Sequence, residues 1–316
     1  MDLNLQLLVG VMAAVVLFLH ALEGFSAELQ AAGGDRLRRW LGRATASRWR
    51  GFAIGAGATA VVQSSSAVSS MAVALVNSGA LSFRGSLAIL IGANVGTTVT
   101  AWLVSFKLTG IGPWAIVLGT LLSALGSERW RCVGKPLFYF GFIFFSLDLI
   151  SSALQPLQGS ALWQQALGRT DALPAALLAG ALMTALLQSS SVTVGIAILL
   201  VQQQLLAPDA AIAAAIGANV GTTATGMLAS LRMDAAARRT ALANLLFNLA
   251  GVLAISPLLA SFAGLALRMG ETPAQAVAWA HLLFNCATAL LTLPLLGPRG
   301  LGGWIDRRWP EPAARP

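Results

Sequence analysis

The sequence predicts an all-α integral membrane protein made of two inverted-topology repeats, each with a re-entrant helical hairpin and an unwound transmembrane helix. Three observations lead there. Hydrophobic residues make up 57% of the 316 residues and charged residues only 10%, against roughly 45–50% and roughly 25% in a soluble domain. So few charges cannot cover a water-exposed particle of 32.6 kDa, but they suit one wrapped in lipid. Apolar runs cover residues 5–22, 52–76, 81–105, 111–127, 135–153, 172–202, 205–231, 240–263 and 276–296, most of them long enough for the ~20 residues a spanning helix needs. Finally, Ile91-Gly92-Ala93-Asn94-Val95-Gly96-Thr97-Thr98 recurs unchanged as Ile216-Gly217-Ala218-Asn219-Val220-Gly221-Thr222-Thr223, and Gln63-Ser64-Ser65-Ser66 recurs as Gln188-Ser189-Ser190-Ser191, both at an offset of 125 residues. Two matches in one gapless register mark an internal duplication.

The first run, 5–22, follows Met1-Asp2-Leu3-Asn4, which lacks the positive stretch of a secretory signal, and reads as a retained helix. The basic stretch 35–50 is expected to lie at the interface as a lipid-surface anchor, with Leu37, Trp40 and Leu41 on one side among the arginines. Residues 51–153 and 172–296 are the two repeats. Within them, runs 52–76 and 172–202 are each interrupted by a polar quartet. Irregular backbone at membrane depth survives only where protein buries it or a wet cavity faces it, so each run is expected to turn back with its quartet at the tip. Runs 81–105 and 205–231 carry the repeated octapeptide, and the other runs read as plain spans. Residues 297–316 form a cytoplasmic tail.

Charge orders these elements across the bilayer. With both quartet runs turning back, the six arginines of 33–51 share the cytoplasmic side with Arg84, Arg129, Arg131, Lys135, Arg232, Arg238, Arg239, Arg299, Arg307, Arg308 and Arg315. Only Lys107, Arg169 and Arg268 remain outside, a strong positive-inside bias with the N-terminus outside and the C-terminus in the cytoplasm. The net charge of +8 therefore marks a membrane side and not a nucleic-acid surface. Three crossings separate the quartets, and an odd number inverts the second copy. Secondary transporters with inverted repeats hold substrate and ions near the midplane in this way.

The repeated residues have complementary chemistry. A Gln-Ser-Ser-Ser tip offers hydroxyls, an amide and free backbone N–H groups at a helix start, which suit an oxyanion without lysine or arginine. In Gly-Ala-Asn-Val-Gly-Thr-Thr the two glycines permit unwinding, which would expose carbonyl oxygens beside Asn and Thr to a hard cation such as sodium. The Gly92–Gly96 and Gly217–Gly221 spacings equally fit close helix packing. Asp148 is poised between ion binding and a place near the boundary, whereas His20, Glu23 and His281 are explained by interface positions. Asn244, Asn248 and Asn285 are expected to make interhelical hydrogen bonds.

Other chemistries are disfavoured. Cys132 and Cys286 are too far apart in sequence to build a metal cluster or a disulfide framework. An intramembrane serine hydrolase would need a nucleophile elbow, and no Gly-x-Ser-x-Gly occurs; an ATP-driven pump would need a phosphate-binding loop, and none occurs.

The doubled quartet, each followed about 28 residues later by Gly-Ala-Asn-Val-Gly-Thr-Thr, with His281-Leu282-Leu283-Phe284-Asn285 further on, resembles the type II sodium/phosphate cotransporter family over about 50 to 296. The resemblance implies sodium-coupled transport of inorganic phosphate in a bacterial inner membrane, with hairpins entering from opposite sides. It implies phosphate contacts at Ser64, Ser65, Ser66, Ser189, Ser190, Ser191, Asn94, Asn219, Thr98 and Thr223. It implies sodium ligands at Gln63, Gln188, Gly92, Asn94, Thr97, Gly217, Asn219 and Thr222. A homodimer fits such a fold. Many bacterial relatives continue into a soluble helical regulatory domain, so the short tail here suggests that any such protein acts in trans. Some relatives are associated with phosphate export, and hydroxyl and N–H donors do not single out one oxyanion, so export or another anion stands as the alternative.

Overall fold

The computed structural model describes residues 3–42, 47–106, 108, 110–125, 127–157 and 173–297. Among them lie α1 (Leu3–Gly42), α2 (Arg48–Val62), α3 (Ser65–Asn77), α4 (Phe83–Ser105), α5 (Ile111–Ala124) and α6 (Glu128–Leu154). After the stretch 158–172 come α7 (Leu173–Leu187), α8 (Ser190–Gln202), α9 (Pro208–Ser230), α10 (Ala235–Ile255), α11 (Leu259–Met269) and α12 (Pro273–Leu295). Caps set several of these starts. Ser82 accepts from the Gly85 amide at 2.9 Å to open α4, Asp234 from Ala237 at 2.8 Å to open α10, and Thr272 precedes Pro273 at the first turn of α12.

Six helical segments of the described residues are long and apolar enough to cross a membrane: Gln6–Gly33, Phe83–Ser105, Glu128–Leu154, Pro208–Ser230, Ala235–Met269 and Pro273–Leu295. The last but one holds α10 and α11, joined by a 3-10 turn at Ser256–Leu258 where Pro257 interrupts the helical bonding. α2, α3, α5, α7 and α8 are shorter, at 13 to 15 residues.

α4 and α9 form the centre. Their apolar windows are 72% and 67% buried, against 22% for the first helix. α2 lies along α4 as α7 lies along α9, and α3 and α8 each touch both central helices. The duplication extends into the packing. A Cβ at Gly55, Gly92 or Gly96 would strike the backbone carbonyl of Ile89, Phe52 or Ala56; at Gly180, Gly217 or Gly221 it would strike that of Ala214, Leu177 or Ala181. Every partner is again 125 residues on. Beside this core, α5 runs antiparallel to α6, with Gly112 against Gly141 and Phe145, and Gly119 against Gly134 and Phe138.

Two expectations are corrected. The octapeptides do not unwind: α4 is continuous from Phe83 to Ser105 and α9 from Pro208 to Ser230. Their glycines are used for contact instead, since Gly92 and Gly217 press against the neighbouring backbone of α2 and α7. Nor is 35–50 a separate helix. α1 continues to Gly42, and Leu41 is buried in a cluster with residues of α2, α3, α4 and α12, while Trp40 is exposed. Residues 43–46 and the tail beyond Gly297 lie outside the described residues, as do Lys107 and Arg169.

Candidate functional site

Each quartet sits where one helix stops and another starts. Gln63 closes α2 and Gln188 closes α7 in the left-handed region, at φ 57° and 53°, a conformation that costs a side-chain-bearing residue about 1–3 kcal/mol and clusters at functional sites. The next residue is extended and caps the following helix. Ser64 Oγ accepts from the Ala67 amide at 3.2 Å and Ser189 Oγ from the Val192 amide at 3.4 Å. Ser65 and Ser190 are buried on the first turns of α3 and α8, whose leading amides lack helical partners and carry the positive end of the helix dipole.

The two tips meet at the centre. The Ser66 hydroxyl donates to the Gln188 carbonyl at 2.9 Å. Thr100 of α4 donates to Gln63 Oε1 at 2.8 Å and accepts from the Ser191 hydroxyl at 3.3 Å. One threonine thus ties the glutamine of the first quartet to the last serine of the second. Its counterpart 125 residues on, Thr225, has a buried hydroxyl with no partner, and Gln188 is exposed. Sequence reasoning missed both threonines. The match was there in the same register, two residues past the octapeptide, but Val99 and Ala224 interrupt the identity.

The octapeptide side chains split into stripes, because each residue turns the helix by about 100°. Thr97 and Thr222 are buried and donate to Ala93 and Ala218 carbonyls at 2.9 and 3.0 Å. They lie on the Thr100 and Thr225 side, three residues away. Thr98 and Thr223 donate to Val95 and Val220 carbonyls at 2.7 Å each and share the next stripe with Asn94 and Asn219. Asn94 Nδ2 donates to Asn248 Oδ1 of α10 at 2.9 Å, whereas Asn219 Nδ2 turns to the Ala215 and Ile216 carbonyls of its own helix.

Among the other polar residues, Asn248 makes the expected interhelical bond, while Asn285 Nδ2 donates only to the His281 carbonyl, one turn back in α12. His281 faces the protein interior. It is 1% exposed, and both its ring nitrogens and Asn285 Oδ1 are buried without partners. Asp148 Oδ2 accepts from the Gly110 amide at 3.4 Å, closing the turn before α5. At the ends of α4 and α8 a cavity of about 470 Å³ is lined by Ser105, Gln202, Gln204, Thr272 and Gln275 among others.

The fold and the centre define a class: a multi-pass helical membrane protein with a duplicated, uncharged polar core. The chain belongs to the Na+/Pi-cotransporter family, whose pattern it matches twice, over residues 17–152 and 148–293. It is therefore assigned to a family of phosphate transporters rather than of enzymes. It is 31% identical over 273 residues to YqeW of Bacillus subtilis, covering 86% of this chain and 89% of that protein. It is 32% identical over 227 residues to YjbB of Escherichia coli K12, named provisionally for inorganic phosphate export, covering 71% of this chain but only 42% of that protein. A third similarity, 36% over 105 residues, is to the human sodium-dependent phosphate transport protein 2B, and covers 31% of this chain and 15% of that one. No solved structure matches the chain.

Proposed function

We propose that the protein is a sodium-coupled secondary transporter of inorganic phosphate that works by alternating access in a bacterial plasma membrane, with its N-terminus outside and its C-terminus in the cytoplasm. The meeting of the two quartet tips carries this reading. Hydroxyls and first-turn amides from both copies converge where Ser66 reaches Gln188 and Thr100 joins Gln63 to Ser191. Phosphate sits between the tips, held by Ser65, Ser66, Ser190 and Ser191 with the helix-start amides, while Ser64 and Ser189 hold the tips in shape.

The quartets and Thr100 carry no positive charge of their own, so sodium ions balance the anion. Gln63, Gln188, Thr97 and Thr222 supply their oxygens. Each threonine spends its proton on a helix carbonyl and offers a cation its lone pairs. The unpaired hydroxyl of Thr225 joins them. Asn94, Asn219, Thr98 and Thr223, on the neighbouring stripe, support the helices rather than the ligands. Filling an anion site near the midplane is costly without cations, and this is the source of coupling.

In this reading α2–α3 and α7–α8 are re-entrant hairpins from opposite faces and the repeats are inverted. That arrangement needs α5 to cross with 14 residues. Its glycine seam against α6 and its lipid-facing Trp114, Leu118 and Leu121 suit a short span, since the bilayer thins at a cost of fractions of a kcal/mol per Å.

Ser65→Leu and Ser190→Leu test the site: each should abolish phosphate uptake while the purified protein keeps its elution profile and melting temperature. Normal uptake by both rules the site out. The name given to YjbB favours a second reading, the same carrier run outward. Phosphate-loaded vesicles, with sulfate as competitor, separate export and other oxyanions from import.

A further inference from the structure

The polar centre is built symmetrically but bonded asymmetrically. α10 and α12 each carry Leu-Leu-Phe-Asn, at 245–248 and 282–285. They hold equivalent places: α10 packs on α3, α4 and α9, and α12 on α8, α9 and α4, the same neighbours once the helices of one copy are exchanged for the other. Within both helices the asparagine is fixed alike. Asn248 Nδ2 donates to the Asn244 carbonyl at 2.9 Å, and Asn285 Nδ2 to the His281 carbonyl at 2.8 Å.

The next bond differs. Asn248 Oδ1 accepts from Asn94 of α4. Asn285 Oδ1 is wholly buried and accepts from nothing, while Asn219, the counterpart of Asn94, bonds its own helix. The tips repeat the pattern. Gln63 is bonded to Thr100, whereas Gln188 is exposed and Thr225 unpaired. These bonds are made beside α4 of the first copy and missing beside α9 of the second.

We propose that Asn94–Asn248 and Asn219–Asn285 are reciprocal positioning bonds, each closing as the other opens, and that the structure holds the first closed and the second open. Each state then leaves one buried amide oxygen unsatisfied, so neither state is strongly preferred, as a carrier that must cycle requires. α10 and α12 both belong to the second repeat, but one packs beside α4 as the other packs beside α9, so exchange of the surroundings of α4 and α9 during transport would break the bond seen at α4 and make the corresponding bond at α9. This inference rests on the alternating-access reading and names the residues that hold its two states.

The test uses full-length protein with Cys132→Ser and Cys286→Ala, carrying either Asn94→Cys with Asn248→Cys or Asn219→Cys with Asn285→Cys, in membranes treated with mercuric ion to bridge paired thiols. Both pairs should cross-link. A cysteine at Gln204, in the cavity at the ends of α4 and α8, should change its reactivity to a membrane-impermeant maleimide in opposite directions in the two cross-linked proteins. If the second pair stays unlinked with sodium, with phosphate and without either, while the first links, the proposal fails. Asn285→Ala gives an independent reading: it should lower the maximal transport rate about tenfold with the phosphate KM unchanged, and Asn219→Ala, which removes the proposed donor, should lower it to a similar extent. An unchanged rate in Asn285→Ala overturns the proposal even if the cysteine variants do not fold. Cross-linking does not depend on which anion is carried, so a wrong substrate would leave it intact while abolishing phosphate uptake.

Discussion

Thr100 and Thr225 differ in one respect that mutation can weigh. Thr100 satisfies both Gln63 and Ser191, so Thr100→Val strands two polar groups, at a cost of about 1–3 kcal/mol in stability. Thr225 has no partner to lose, so Thr225→Val should be neutral or stabilising by up to about 1 kcal/mol. If its hydroxyl serves sodium, the same change should raise the sodium concentration needed for half-maximal uptake. Thermal unfolding in detergent and sodium titration of uptake check the two effects separately. A fall in melting temperature for Thr225→Val as large as that for Thr100→Val would remove the distinction. The sequence marked the quartets and octapeptides as special, because both recur in one gapless register inside apolar runs. It could not show which side chains meet, since Thr100 reaches Gln63 only through the way α4 lies on α2. The burial of His281 was illegible for a related reason: its distance from the end of an apolar run says little about what covers it.

Most elements after α1 were legible in approximate extent, yet the role of the octapeptide glycines was not. A Gly-x-x-x-Gly spacing permits either unwinding or close packing, and the choice depends on what faces it. Here the carbonyls of Phe52 and Leu177 face it, and contact wins. Gly92→Ala and Gly217→Ala should each cost about 1–3 kcal/mol, because the neighbouring atom is helical backbone that cannot turn aside. Gly57, in the same helix pair, would place a Cβ in open space. Gly57→Ala should therefore be neutral or stabilise by about 0.5–1 kcal/mol. Comparable melting temperatures for all three variants would count against the glycine seams. The expected interfacial helix failed at this scale too. Its arginines promised a surface, but the burial of Leu41 keeps the segment as the last turns of α1.

Across the whole molecule, charge and duplication argue for one orientation and one mechanism. In the proposed orientation the start of α6 is cytoplasmic and the start of α12 is outside. A cysteine at Glu271 should react with an impermeant maleimide in intact cells, and one at Glu128 only after permeabilisation; the reverse pattern would turn the molecule over. Two copies of one fold with their polar tips in contact suit a carrier whose site lies between moving halves, and membership of the Na+/Pi-cotransporter family agrees with phosphate as the cargo. The most direct measurement is radiolabelled phosphate flux in proteoliposomes of purified protein, with a sodium gradient set against potassium and choline and with unlabelled sulfate as competitor. Flux that requires sodium, ignores sulfate and disappears in Ser65→Leu and Ser190→Leu is the predicted result. Flux of equal size in potassium, or none under any cation in folded protein, would contradict sodium-coupled phosphate transport.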